Sequence, residues 1–258
     1  MLILALAGCG RSSPSGSAPA ADRPSIDAPD PGYRAAPHVL DVARSSDGAP
    51  VLAGSAEPSS TVRLASPAGA KLETTADGSG RWRTPLGPVS EPALYGLSAE
   101  SDGSRLQAEG YVAILPGDPT VALLRAGAGA QVLGDHPGLH ILAIDLDNGG
   151  AVAVSGRAPA EGPVRVLVDG VQAMQAAPAA DGRFTTTLPK ALSPGQHEIQ
   201  AMTAKAAVSA RITVGPITPP ADGPYRITAT GDGWRVDWIT PGGGPQTTLL
   251  PAASGSAP

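Results

Sequence analysis

Along residues 38–250 the chain alternates short apolar runs with turn residues at intervals of roughly 8–12 positions, the spacing of a β-sandwich. Val164, Val166 and Val168 alternate with Arg165 and Leu167 and run into Asp169-Gly170, a hairpin signal. Phe184, Thr186 and Leu188 alternate after the Asp181-Gly182 turn, and His197, Ile199 and Ala201 after Pro194-Gly195. No stretch keeps a helical period over a useful length. Thr120 to Ala130 comes nearest, and Gly127, Ala128 and Gly129 make it strand and turn instead. Residues 224–250 predict a strand, a Gly231-Asp232-Gly233 turn, a second strand, a glycine-rich turn and a short last strand. A lone hairpin is marginal in water, so this element is expected to pack on the preceding sandwich or on the Val121–Leu124 and Gln131–Leu133 strands.

The pattern repeats. Shifting the chain from Val51 by 102 residues lays Gly54 on Gly156, Ala56 on Ala158, Val62-Arg63 on Val164-Arg165, Gly80-Arg81 on Gly182-Arg183, Trp82 on Phe184 and Leu86 on Leu188 without a gap. The same shift carries Leu97 to Ile199 and Ala99 to Ala201, and a slip of one residue pairs Tyr111 with Ile212. Trp82 is therefore expected in the core. The shared order, G-x-A followed by V-R-(L/V), then G-x-(W/F), then (H/Y)-x-(I/L)-x-A, resembles the bacterial Ig-like domains of cell-surface and envelope proteins. The first copy departs from it, with Ser79 in place of Asp181 and Leu94-Tyr95 without the Pro-Gly turn. The resemblance implies an all-β fold of two tandem Ig-like sandwiches, and implies fold more than activity. The expected organisation is a first Ig-like domain over 37–116, connecting strands over 117–139, a second Ig-like domain over 140–215, a C-terminal three-strand element over 216–250 and a disordered tail over 251–258.

The amino terminus has a different character. Met1 to Gly8 is apolar and ends in small residues, and Leu6-Ala7-Gly8-Cys9 resembles the lipobox of bacterial lipoproteins. The resemblance implies a signal peptide over 1–8 and lipidation of Cys9, which becomes the first residue. Gly10 after the cysteine, by the enteric sorting rule, implies the outer membrane, facing the periplasm. Residues 9–36 carry many Pro, Ser and Ala and almost no aliphatic residue, so they read as a disordered tether between anchor and fold.

Composition narrows the chemistry. The one cysteine excludes an internal disulfide and any multi-cysteine metal site. With aromatics at 3%, the cores must be built from Val, Leu, Ile and Ala. A net charge of −5 with no cluster of Lys and Arg argues against nucleic-acid binding. His38, His136, His140 and His197 sit in unrelated contexts, with no nucleophile elbow or zinc-protease motif, so neither catalysis nor a metal or cofactor is expected. Pro137-Gly138 disfavours the helix that would join His136 to His140, and Asp145-Leu-Asp147-Asn148-Gly149 reads as a turn rather than a cation loop. Trp234, Val236 and Trp238 fall on one face of a strand and Arg235 and Asp237 on the other. Two of the three tryptophans lie here, so Trp234 and Trp238, with Arg235, are the candidate ligand-binding residues. They either grip a glycan or partner or close a seam against the sandwich. The expected role is a membrane-anchored, non-catalytic structural or protein-interaction module of the envelope, with peptidoglycan or polysaccharide binding as the alternative.

Overall fold

The computed structural model describes residues 34–46, 49–116 and 120–252, and among these the ordered elements are all strands. The expected signal peptide, Cys9, the tether up to residue 33 and residues 253–258 of the expected tail lie outside them, whereas Pro251, assigned from sequence to the tail 251–258, ends the last strand. Arg34, assigned to the tether from sequence, instead belongs to the fold. Its guanidinium pairs with Glu57 and donates to the carbonyl of Ser101 at 3.2 Å, so the folded part starts earlier than the composition suggested.

The first sandwich contains β1 (His38–Arg44), β2 (Pro50–Ser55), β3 (Thr61–Ala65), β4 (Lys71–Thr75), β5 (Arg81–Pro85), β6 (Ala93–Ser101), β7 (Ser104–Gln107) and β8 (Tyr111–Leu115). The connecting stretch supplies β9 (Thr120–Leu124) and β10 (Gln131–Val132). One sheet runs β1-β2-β5. The facing one runs β10-β9-β8-β6-β3-β4, with β7 on β6. Between them Leu52, Val62, Leu64, Trp82, Leu97 and Ile114 form a closed core.

The second sandwich contains β11 (His140–Asp147), β12 (Val152–Arg157), β13 (Val164–Val168), β14 (Val171–Ala176), β15 (Arg183–Thr187), β16 (Gly195–Met202) and β17 (Ala207–Val214). The C-terminal element adds β18 (Tyr225–Thr230), β19 (Gly233–Ile239) and β20 (Pro245–Pro251). It is not a separate layer. β20 pairs antiparallel with β11, so one sheet runs β15-β12-β11-β20-β19-β18 and covers the other, β14-β13-β16-β17. The chain is thus two tandem Ig- or fibronectin-III-like sandwiches with the second sheet extended by three strands.

The repeat is longer than the sequence alignment from Val51. It begins at His38, which falls on His140, so His-Val-Leu heads one domain and His-Ile-Leu the other. Both first strands are bulged at the same place, between Val39 and Asp41 and between Ile141 and Ala143. Backbone bonds also correspond: Leu86 N–H to Pro50 O and Leu188 N–H to Val152 O are both 2.8 Å. Gly54 and Gly156 have a shared physical cause. A methyl at either would overlap the carbonyl oxygen of His38 or His140 and the ring of Trp82 or Phe184, so the ring lies where only glycine leaves room. The Ser79-for-Asp181 departure is a relocated turn carboxylate. Asp77 accepts from the Ser79 and Arg81 amides at 2.8 and 2.9 Å, whereas Asp181 accepts from the Arg183 amide at 3.1 Å.

One pairing is corrected. Tyr95 lies opposite Val112 and His197 opposite Ile212, so Val112, not Tyr111, is the counterpart of Ile212. A one-residue slip exchanges the two faces of a strand, and Tyr111 faces away from the first core.

Candidate functional site

β8 and β9 are buried on both faces. Val112, Ile114 and Val121 enter the first core, while Ala113, Leu115, Ala122 and Leu124 point the other way into a separate apolar cluster. That cluster is completed by Ala143 of β11 and by Val236, Trp238 and Leu250 of the C-terminal element. The element therefore joins the second sandwich through its edge and the first through its face. Trp238 sits in the middle, 0% exposed, with its ring edge-on to Tyr111 at 5.7 Å between centroids.

A polar chain runs through this seam. The Trp238 indole N–H donates to Thr248 Oγ1 at 3.1 Å, and the Thr248 hydroxyl donates to Asp145 Oδ1 at 2.6 Å. The Gln246 amide donates to the same oxygen at 3.3 Å, and the backbone N–H of Ala130, in the β9–β10 loop, donates to Asp145 Oδ2 at 2.6 Å. Burial pushes the Asp145 carboxyl above its ordinary range, against the opposing pull of these donors. With its oxygens filled by three donors from two segments, β20 and the β9–β10 loop, Asp145 is a bolt between sandwiches. The expected turn around it lies two residues further on than read: Asp145 lies within β11, and the reversal spans Asp147 to Ala151, closed by the Ala151 amide on Asp147 Oδ1 at 2.8 Å.

The opposite face of β19 holds a second network. Arg235 Nε donates to both Asp237 oxygens, at 2.9 and 3.1 Å, Thr247 Oγ1 donates at 2.7 Å and Arg226 at 3.0 Å. Burial alone would raise the Asp237 carboxyl, but these three partners together hold it below its ordinary value.

These contacts separate the three candidate residues. Trp238 offers no face to solvent, so its expected stacking on a ligand does not stand. The Trp side chain is spent on the seam between sandwiches. Arg235, half-buried, is committed to Asp237 and Thr247 rather than presented to a ligand. Trp234 alone of the pair stays half-buried, standing between two clefts. One, of about 260 Å³, lies toward Arg211, Thr213 and Asp232. The other, of about 300 Å³, is lined by His136, His140 and Ser209. A flat ring beside hydroxyl, carboxylate and imidazole groups can stack on a sugar or hold an extended chain.

The two histidines of the larger cleft have ring centroids 6.0 Å apart. Each uses Nε2 on a carbonyl oxygen, Leu133 at 3.2 Å and Pro137 at 2.8 Å, and burial lowers the His136 pKa. No group of three or more His, Cys, Asp or Glu that could hold a metal occurs among the described residues. Sequence reasoning weighed Asp145 and His140 only as cation ligands and set both aside. The only available signal was their position in a strand whose repeat partner, β1, carries Ala43 and His38.

No family model matches the chain, and no curated protein matches it. Among solved structures, the central fibronectin-III array of RIM-binding protein aligns over 83% of this chain and 88% of its own, at 13% identity and a TM-score of 0.28. The sandwich assignment itself rests on strand order and register.

Proposed function

We propose that the chain is a lipid-anchored, non-catalytic lipoprotein of the bacterial envelope, held through Cys9 at the periplasmic face of the outer membrane. There it serves as a spacer and protein-interaction module. The observation that carries the spacer role is the junction: the apolar cluster around Trp238 and the Asp145 bolt fix one sandwich against the other, as a rod holding a surface at a set distance requires. Two acyl chains, at about 0.8 kcal/mol per buried CH₂, give stable attachment where one is marginal. Replacing Cys9 with serine is expected to release the protein from membranes and abolish incorporation of labelled fatty acid. Membrane association unchanged by Cys9→Ser would sink the anchor.

A second reading is favoured by the position of Trp234 between two clefts: a module that contacts peptidoglycan or another polysaccharide. Retention on purified peptidoglycan should then fall about tenfold or more in Trp234→Ala, the scale of one binding hot spot. Equal retention of variant and wild type would reject glycan binding at this face.

A further inference from the structure

β1 and β11 are the same strand of the repeat, and their outer edges differ. The edge of β11 carries β20, whereas among the described residues no strand pairs with the outer edge of β1. Ile144 lies opposite Leu249 and is fully buried, while its counterpart Val42 is half-buried. Leu142, at the bulge of β11, packs against the junction cluster, and Leu40, at the same bulge of β1, is 58% exposed. The Val42 amide does not bond to β2. It donates to Asp41 Oδ1 at 2.8 Å, in a position where β11 has Ala143. Beside Leu40 the edge opens into a groove of about 280 Å³ floored by Leu97 and Leu123. The groove reaches Tyr111, Gln131 and Arg183, so it is continuous with the interface between the sandwiches.

We infer that the outer edge of β1 is a strand-acceptor site, which takes an extended segment of a partner polypeptide antiparallel to β1 as β11 takes β20. Backbone bonds supply most of the affinity in such additions, and side-chain pockets supply the selectivity. The β11–β20 pairing states the chemistry of the occupant: an aliphatic residue opposite Val42, as Leu249 is opposite Ile144, with a polar residue before it like Thr248 and an apolar one after it like Leu250 toward Leu40. Asp41 holds the Val42 amide until a partner carbonyl displaces it, and a charge on an open edge also discourages indiscriminate pairing. The stretch from Cys9 to Tyr33 is a poor occupant, because Pro14, Pro19, Pro24, Pro29 and Pro31 each lack a ladder donor. This gives the proposed interaction role a partner class. It is tested away from membranes, so its failure would leave the anchor and the spacer untouched.

The probe is a capped peptide of residues 244–251, titrated into the isotope-labelled full chain. Saturable NMR shifts are expected at the Val42 amide and at the Leu40 and Val42 methyls. Val42→Pro removes the outward donor without touching the β1–β2 ladder, and Leu40→Asp alters an exposed site. Each should weaken binding about tenfold, the equivalent of one backbone hydrogen bond. Absence of saturable shifts, shifts centred on Ile144, or shifts indifferent to both variants would overturn the site. Concentration-dependent self-association that Val42→Pro abolishes would assign the edge to a second copy and overturn the foreign strand.

Discussion

Trp82 and Phe184 occupy one position in two copies of the same sandwich, each ring laid over a glycine. The Trp82 indole N–H is buried without a hydrogen-bond partner among the described residues, and Phe184 has no such group to satisfy. A buried polar group left unpaired costs about 1–3 kcal/mol, which offsets much of the area the larger ring adds. Trp82→Phe should therefore change stability by less than about 1.5 kcal/mol, whereas Trp82→Ala should cost about 3–5 kcal/mol. Denaturant unfolding of the two variants checks this, and equal losses would contradict it.

Among the elements, the β13–β14 turn is clamped to β16 by an ion pair. Asp169, at a positive φ of 50°, accepts from the Glu198 amide at 2.9 Å and from His197 Nδ1 at 2.8 Å, while His197 Nε2 reaches the Ser193 carbonyl at 2.8 Å. Both ring nitrogens face acceptors, so the charged imidazole is favoured and the His197 pKa is raised, first by Asp169 and then by Ser193. The Asp169 pKa is lowered, first by the Glu198 amide and then by His197. The stability from His197 is fully present below its unfolded pKa of about 6.5 and is lost as pH rises through the folded value. That from Asp169 is present above about 3.9 and is lost as pH falls through its folded value. The stability gap between wild type and His197→Gln should thus be widest between about pH 4 and 6.5 and shrink toward pH 9. A gap that grows above pH 7 would contradict the clamp.

How far elements could be read from sequence depended on which faces they bury. Val164, Val166 and Val168 alternate because β13 is buried on one side, and the period shows. β8, Tyr-Val-Ala-Ile-Leu, is buried on both sides, so its pattern says strand but not what covers it. The head of the repeat escaped because the bulge at Leu40 and Leu142 breaks alternation just where His-Val-Leu and His-Ile-Leu correspond. Trp234, Val236 and Trp238 do share a face, as read. What lies over that face is β8 and β9, more than a hundred residues upstream, and no local pattern encodes it.

For the whole molecule, the junction couples two domains that each own a closed core. Trp238 links the C-terminal element to Tyr111 and, through Thr248, to Asp145. Calorimetric unfolding of the wild type is expected as a single transition, and Trp238→Ala should cost about 3–5 kcal/mol and split it into two. One transition merely displaced to lower temperature would show that the sandwiches are coupled elsewhere. Asp145→Ala, which strands three donors, should act in the same direction without removing the ring.

The pairing of β11 with β20 also sets a timetable. Asp145 and Thr248 are 103 positions apart, so the opening strand of the second sandwich waits for its edge partner until the rest of that domain has been synthesised. At about 5–20 residues per second that wait is several seconds or more. During it the edge of β11 stands open as β1 does now, so a nascent chain exposes the outer edges of both first strands, where the finished one has covered that of β11 with β20. The interval in which β20 competes with foreign strands is where misassembly of this protein would begin.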